Sequence, residues 1–352
     1  MSNNKMNNKN KEFINNLVFK TKNTTVLLGA GASCVCGLPS GAKLFEDLKK
    51  HKIKKFNGND EEIKKIITTT DNLDIETYLS KIENAKMFYK NNNDSKKADN
   101  IEVFYNDCLK FIVNKIKINV PSRDVHKKFI SKLLSTRNDL SKGRIKIFTT
   151  NYDTIIEDAC AEEGIIAIDG FSFVGSKRLF NSNYFDYDVI DDNLTKRNNT
   201  PERINNLIYL HKLHGSVNWY KEENTFYCTN KNQEKKNPMI IIPGESKFKN
   251  SYDSPYLDMI GKFREGLCES ELLIVIGYSF SDTHINNIIV ESIQRNSNIS
   301  VLICMRDEKC CELKCYAEFK DNLEGHSIMK FDDNILNKLK NIIIQFHNRM
   351  TF

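Results

Sequence analysis

The chain has 352 residues, of which 40% are hydrophobic, 28% charged and 10% aromatic, a balance that suits a globular protein with a sizeable core. Its net charge of +6 is spread over 52 basic and 46 acidic side chains, so no direct nucleic-acid binding is expected. No run approaches the roughly 20 apolar residues of a membrane span, and no membrane contact is expected either.

Met1 to Lys11 is polar and rich in Asn and Lys, without the apolar stretch of a secretory signal, so a cytoplasmic location is expected. A short helix is predicted from Lys11 to Phe19. The apolar run Thr24–Leu28 reads as a buried strand that enters the glycine turn Gly29-Ala30-Gly31-Ala32-Ser33. Leu38-Pro39-Ser40-Gly41 then leads into an amphipathic helix through Leu44, Phe45 and Leu48. From 51 to 143 no strand pattern occurs. Apolar residues recur there at helical spacing, for example Tyr78, Leu79 and Ile82, then Phe129, Ile130, Leu133 and Leu134. Within this stretch the polar run Lys90–Asn100 is predicted to be an exposed loop.

Strand signals resume at Arg144–Thr149, followed by a helix over Thr154–Glu163 and a strand over Ile165–Ile168. Residues 175–205 are polar and turn-rich, with little periodic pattern. Short strands are predicted at Ile208–Leu213, Thr225–Cys228 and Met239–Ile242. A helix over Tyr256–Cys268, a strand over Leu272–Ile276, a helix over Ile285–Ile293 and a strand over Ile299–Cys304 follow. His326–Phe331 and a helix over Ile335–Phe346 close the pattern. Strands alternating with helices argue for an α/β fold, a Rossmann-like doubly wound parallel sheet with a helical insertion. One domain over 1–352 is expected, its core formed by 20–50 and 144–350 and its insertion by 51–143.

Ten cysteines in this length are not a disulfide-scaffold density. The spacings Cys34-Val35-Cys36 and Cys310-Cys311…Cys315 lack a paired CxxC arrangement, so structural or incidental thiols are expected, and no metal.

Four segments carry chemistry, each expected just after a strand, where ligands sit in a parallel α/β sheet. The glycine turn, with Gly29, Ala30, Gly31 and Ser33, has the strand–turn–helix context in which backbone N–H groups receive a pyrophosphate. Yet no acidic residue closes a second strand about 20 residues on, which disfavours an ordinary NAD-dependent oxidoreductase. Thr149-Thr150-Asn151-Tyr152-Asp153 delivers an amide and a carboxylate, either of which could instead cap the following helix. Leu213-His214-Gly215-Ser216 places an imidazole beside a glycine that allows close backbone approach, whereas His211 has no such neighbour. Gly277-Tyr278-Ser279-Phe280-Ser281-Asp282 follows the last apolar strand, with Asp282 standing where either a helix cap or a ribose contact fits.

In this order and spacing, the four segments resemble the sirtuin superfamily. Gly29–Ser33 resembles its phosphate-binding turn, Thr149–Asp153 its Thr-Gln-Asn-Ile-Asp element, Leu213–Ser216 its catalytic histidine segment and Gly277–Ser279 its Gly-Thr-Ser turn. The resemblance implies NAD as substrate. It assigns Asn151 to orienting the nicotinamide ribose and the attacking water, and His214 to general-base work near the ribose hydroxyls. Gly29, Ala30, Gly31, Ser33, Thr150, Asp153, Gly277, Ser279 and Asp282 would bind the nucleotide.

Three departures from protein-deacylating sirtuins stand out. Ser40-Gly41-Ala42 replaces their Asp-Phe-Arg run, Thr150 replaces their Gln, and the two CxxC pairs of their zinc ribbon are missing after His214. The variant pattern is similar to the bacterial sirtuin-like effectors of antiphage defence, which hydrolyse NAD. That implies an NAD glycohydrolase, with an NAD-dependent deacylase or a non-catalytic NAD-sensing subunit as alternatives. With no second large domain expected, control is expected in trans, through homo-oligomerisation and a regulatory partner such as a HerA-type ATPase. The helical insertion is the expected assembly surface.

Overall fold

A computed structural model of the chain describes residues 17–71, 73–117, 120–137, 141–198, 202–231, 238–240, 254–304 and 328–331. Ten strands lie within them: β1 (Thr24–Leu28), β2 (Ile145–Thr149), β3 (Ile166–Ile168), β4 (Arg178–Leu179), β5 (Leu207–Lys212), β6 (Trp219–Glu222), β7 (Thr225–Cys228), β8 (Leu272–Ile276), β9 (Ser300–Cys304) and β10 (Ile328–Phe331). The α-helices are α1 (Ala30–Ser33), α2 (Gly41–Leu48), α3 (Glu61–Thr68), α4 (Ile75–Asn91), α5 (Ser95–Ile116), α6 (Asp124–Ser135), α7 (Ile155–Glu162), α8 (Asp192–Asn198), α9 (Tyr256–Glu269) and α10 (Thr283–Arg295).

Seven strands form one sheet in the order β10-β9-β8-β1-β2-β5-β3, and every neighbouring pair is parallel. β1 and β8 are buried at all five positions, as expected of central strands covered on both faces. Val26 pairs with Ile147 on one side and Ile274 on the other, so the three strand ends are level. Side chains alternate between two apolar layers. Leu27 and Phe148 join Met259 and Phe263 of α9 and Ile288 of α10 on one face. Val26, Leu28 and Ile147 join Phe129 and Ile130 of α6 and Ile156 of α7 on the other. The fold is therefore Rossmann-like and doubly wound, as the strand–helix alternation predicts. A second, three-stranded antiparallel sheet has the order β4-β7-β6.

Between β1 and β2 the described residues are helical throughout their regular structure, with a separate apolar cluster of Leu44, Leu48, Ile63, Tyr78, Ile82, Ile101 and Cys108. Two expectations are corrected. Lys90–Asn100 is not an extended exposed loop, because α4 runs to Asn91 and α5 begins at Ser95. The side chain of Asp94 accepts from Lys97 N and so starts the second helix at once, and the polar residues occupy helix ends. The stretch 175–205 holds β4 and α8, and β6 was not anticipated at all. The predicted helix Ile335–Phe346, most of the helix Lys11–Phe19 and the end of the strand Met239–Ile242 lie outside the described residues.

Candidate active site

The order of strands reverses at β1: β2, β5 and β3 follow on one side, β8, β9 and β10 on the other. At such a switch point the loops after neighbouring strands diverge to opposite faces of the sheet, and ligands of doubly wound folds bind there. The four chemistry-bearing segments leave the carboxyl ends of β8, β1, β2 and β5, which are adjacent strands.

Gly29 and Gly31 sit against Gly277. Gly29 N donates to Ile276 O at 2.9 Å and Gly31 N to Gly277 O at 2.8 Å. A Cβ on Gly29 would lie 2.5 Å from Tyr278 Cα, one on Gly31 2.8 Å from Gly277 Cα, and one on Gly277 2.3 Å from Ala32 N. Gly277 also has φ +61°, a conformation that L side chains rarely adopt. The glycines thus let two loops pack backbone on backbone. Ala32 N turns inward as well, to Gly29 O at 2.9 Å. Three amides that the sequence offers to a pyrophosphate are therefore satisfied inside the protein, and Ala30 is the exposed residue of the turn.

Asn151 is tied to that turn. Its Nδ2 donates to Gly29 O and to Ser33 Oγ, both at 2.9 Å, while Ser33 Oγ donates to Asp153 Oδ2 at 2.7 Å. Both Nδ2 hydrogens are thereby engaged, and Oδ1 is the atom through which Asn151 can orient a water or a hydroxyl. Asp153 does two jobs at once, since its Oδ1 accepts from Ile155 N at 3.1 Å and starts α7. Thr150 contributes its backbone N–H to Leu28 O at 3.1 Å, which holds the loop to the end of β1.

The His214 segment runs beside this loop. Leu213 N donates to Thr149 O at 2.8 Å and Val217 N to Tyr152 O at 2.9 Å. Gly215 takes φ +80°, and a Cβ there would lie 2.1 Å from Met239 O. The His214 ring is buried, with Nε2 3.0 Å from Asp282 Oδ2. Asp282 Oδ1 accepts from His284 N at 3.0 Å and Ile285 N at 3.3 Å, capping α10. The structure thus supports the cap reading of Asp282 and adds a partner that the sequence did not disclose. Ser279 and Ser281 are exposed, with their hydroxyl oxygens 2.8 Å apart.

Four further residues brace the site, and sequence reasoning placed none of them there. Buried Lys212 reaches from the end of β5 to the Asp153 carbonyl and to Glu157 Oε1, the latter at 2.8 Å. Burial pushes the Glu157 carboxyl above its usual range, against the pull of Lys212. Below α1, Cys36 Sγ lies 3.3 Å from His126 Nδ1, and His126 also hydrogen-bonds the backbone of Ala32. Burial lowers the His126 pKa and raises the Cys36 thiol to about 11, so this is a neutral packing pair and no thiolate nucleophile. His211, by contrast, is a core residue stacked between Phe148 and Phe185, with its pKa pushed down to about 3 by burial.

The model of the SIR2-like domain family matches residues 145–320, half of the chain, and the chain belongs to that family. The glycine turn at 29–33 precedes the matched stretch and joins the site through the contacts described above. Among solved structures, the chain is similar to Sir2 with a p53 peptide and NAD+ (14% identity, TM-score 0.45, covering 96% of this chain and 98% of that one). It is also similar to a Sir2 homologue–NAD complex (13%, TM-score 0.46, 97% and 95%) and to Sir2Tm bound to a propionylated peptide (13%, TM-score 0.47, 96% and 99%). No curated protein matches the sequence. No helix among the described residues is long and apolar enough to cross a membrane, and no group of three or more His, Cys, Asp or Glu among them could hold a metal ion.

Proposed function

We propose that this chain is an NAD+ hydrolase that releases nicotinamide and ADP-ribose, acting as an NAD-depleting effector of bacterial antiphage defence. The observation that carries the reading is convergence. The Asn151–Ser33–Asp153 network and the buried His214–Asp282 pair stand on adjacent strand ends at the switch point of a SIR2-like chain. The chemistry asks little beyond that. The nicotinamide is bonded as a pyridinium and leaves as the neutral base, so the site must stabilise an oxocarbenium-like centre and place one water. In this reading Asn151 Oδ1 orients the water or the ribose, and His214 accepts a proton, a contribution worth roughly 10²–10⁴-fold. Ala30, Ser33, Thr150, Asp153, Gly277 and Ser279 would line the nucleotide, Gly29 and Gly31 shaping the turn rather than donating to it.

Purified protein incubated with NAD should release nicotinamide, and Asn151→Ala and His214→Ala should abolish that release with the fold intact by circular dichroism. Equal release by wild type and both variants would refute the roles. Consumption of an acetylated peptide together with NAD, without release of nicotinamide in its absence, would favour a deacylase instead. Control in trans is part of the proposal. The outer faces of α4 and α5 expose Phe88 (61%) and Val103 (70%), apolar positions suited to self-assembly. A strict monomer in light scattering, unchanged by a co-expressed HerA-type ATPase, would count against that part.

A further inference from the structure

We propose that Asp282 is the positioning residue of His214: it fixes the imidazole with its proton on Nε2 and faces the positive charge that forms when the ring takes up a second proton. The inference rests on the hydrolase reading for its catalytic consequence, and on the geometry alone for the dyad itself. The two carboxylate oxygens of Asp282 are divided between two tasks. Oδ1 accepts the His284 and Ile285 N–H groups at the start of α10, which locks the carboxylate against rotation. Oδ2, 3.0 Å from Nε2, can only accept, so the neutral ring must carry its proton there and its lone pair on Nδ1. Both side chains are only 6% exposed, and the pair therefore acts with little competition from water.

The backbone that brings Asp282 here is itself held. Phe280 has φ +57°, unusual for a bulky side chain and worth about 1–2 kcal/mol of strain. Its ring is fully buried, its carbonyl accepts Asn286 Nδ2 at 2.7 Å, and Tyr278 Oη donates to Asp282 O at 3.3 Å. Those contacts over-determine the turn and leave the carboxylate one place to point. In turnover, water oxygen bonds to C1′ of the nicotinamide ribose as the C1′–N bond breaks, its electron pair leaving with nicotinamide. The water proton passes to His214 Nδ1, and the imidazolium so formed faces the Asp282 carboxylate.

The test uses full-length protein labelled with ¹⁵N-histidine and the variants Asp282→Asn, Asp282→Glu and His214→Gln, the last to assign the His214 signals. Asn keeps the helix cap and the shape but loses the carboxylate. Wild type should show His214 protonated on Nε2 and bare on Nδ1. In Asp282→Asn that preference should be lost, kcat for nicotinamide release should fall by about 10²-fold or more, and KM should stay within a few-fold. Asp282→Glu should restore the Nε2 tautomer in part. An Asp282→Asn protein that keeps the wild-type tautomer overturns the proposal. So does one that raises KM at unchanged kcat, since that marks a direct ribose contact. If no form turns NAD over, alone or with the co-expressed ATPase, yet the tautomer responds to Asp282→Asn, the dyad stands and the hydrolase reading falls.

Discussion

Lys212→Met isolates the brace behind the site. Lys212 Nζ lies in the protein with 1% of its side chain exposed and is the cation that answers Glu157 and the Asp153 carbonyl. Removing one partner of a buried pair strands the other and costs about 3–5 kcal/mol. Glu157 keeps 21% of its side chain exposed, so water relieves part of the penalty and the lower end, about 3 kcal/mol, is expected. Glu157→Leu strands the fully buried ammonium instead and belongs at the upper end, about 5 kcal/mol. The double variant should be less destabilised than the sum of the two, because neither charge is left alone. Urea titrations followed by the single tryptophan, Trp219, which is 2% exposed, give all three values.

The sign with pH is also set. Without Lys212 the folded-state pKa of Glu157 rises further above its ordinary 4.5, so the variant regains stability as pH falls toward that value and loses it as pH rises through the folded pKa. Additive single-site costs, or a Lys212→Met defect below 1 kcal/mol that does not change with pH, would refute the reasoning.

His211 predicts a loss of stability in acid. The unfolded ring takes up a proton below about 6.5 while the folded one resists until about 3, so each pH unit between those values costs about 1.4 kcal/mol, and the step from 6.5 to 5 about 2 kcal/mol. Buried His126 adds to the loss in the same direction. His211→Phe should flatten the slope by about one proton in urea midpoints taken from pH 5 to 7.5, and an unchanged slope would contradict the assignment. Gly277→Ala should destabilise by about 2–5 kcal/mol, from a positive φ and a Cβ 2.3 Å from Ala32 N. Gly41→Ala meets nothing within 4 Å and should gain up to about 1 kcal/mol in the same melts. Ser33→Ala removes the hydroxyl shared by Asn151 and Asp153. It should lower thermal stability by about 1–3 kcal/mol and lower nicotinamide release more than Ser33→Thr does.

The strands of the main sheet were legible because a strand buried on both faces has to be a continuous apolar run. Leu272–Ile276 and Thr24–Leu28 are such runs, and both lie at the centre. β4 and β6 were not legible. Arg178–Leu179 is two residues long, and Trp219–Glu222 has two buried aromatics followed by two exposed charges, with no alternation to mark a strand. Lys90–Asn100 misled for a different reason, since Asn and Asp are loop residues in composition but helix-end residues in position, and Asp94 caps α5. The places of Gly29, Asn151 and His214 after β1, β2 and β5 were legible from backbone context, and their roles belong to the proposal. The contacts around them were not: Asp282 meets His214, Lys212 meets Asp153 and Glu157, and His126 meets Cys36 and Ala32, and no local spacing encodes such meetings.

That difference changes how the glycine turn is understood. A glycine-rich bend after a strand invites the view that its bare amides wait for phosphate oxygens. Here the amides of Gly29, Gly31 and Ala32 are taken by Ile276, Gly277 and Gly29 itself, and the absent Cβ atoms make room for the 277–278 backbone. The turn therefore acts first as a hinge-free joint between β1 and β8. Through Gly29 O and Ser33 Oγ it holds the Asn151 carboxamide in a single orientation. On the other side of the same joint, the Gly277–Asp282 turn aims a carboxylate at His214. An amide and an imidazole on neighbouring strands are thus both held by loops that pack on each other through Gly29, Gly31 and Gly277. A Cβ at Gly277 should for that reason disturb Asn151 and His214 together, which substitution of either residue alone does not do.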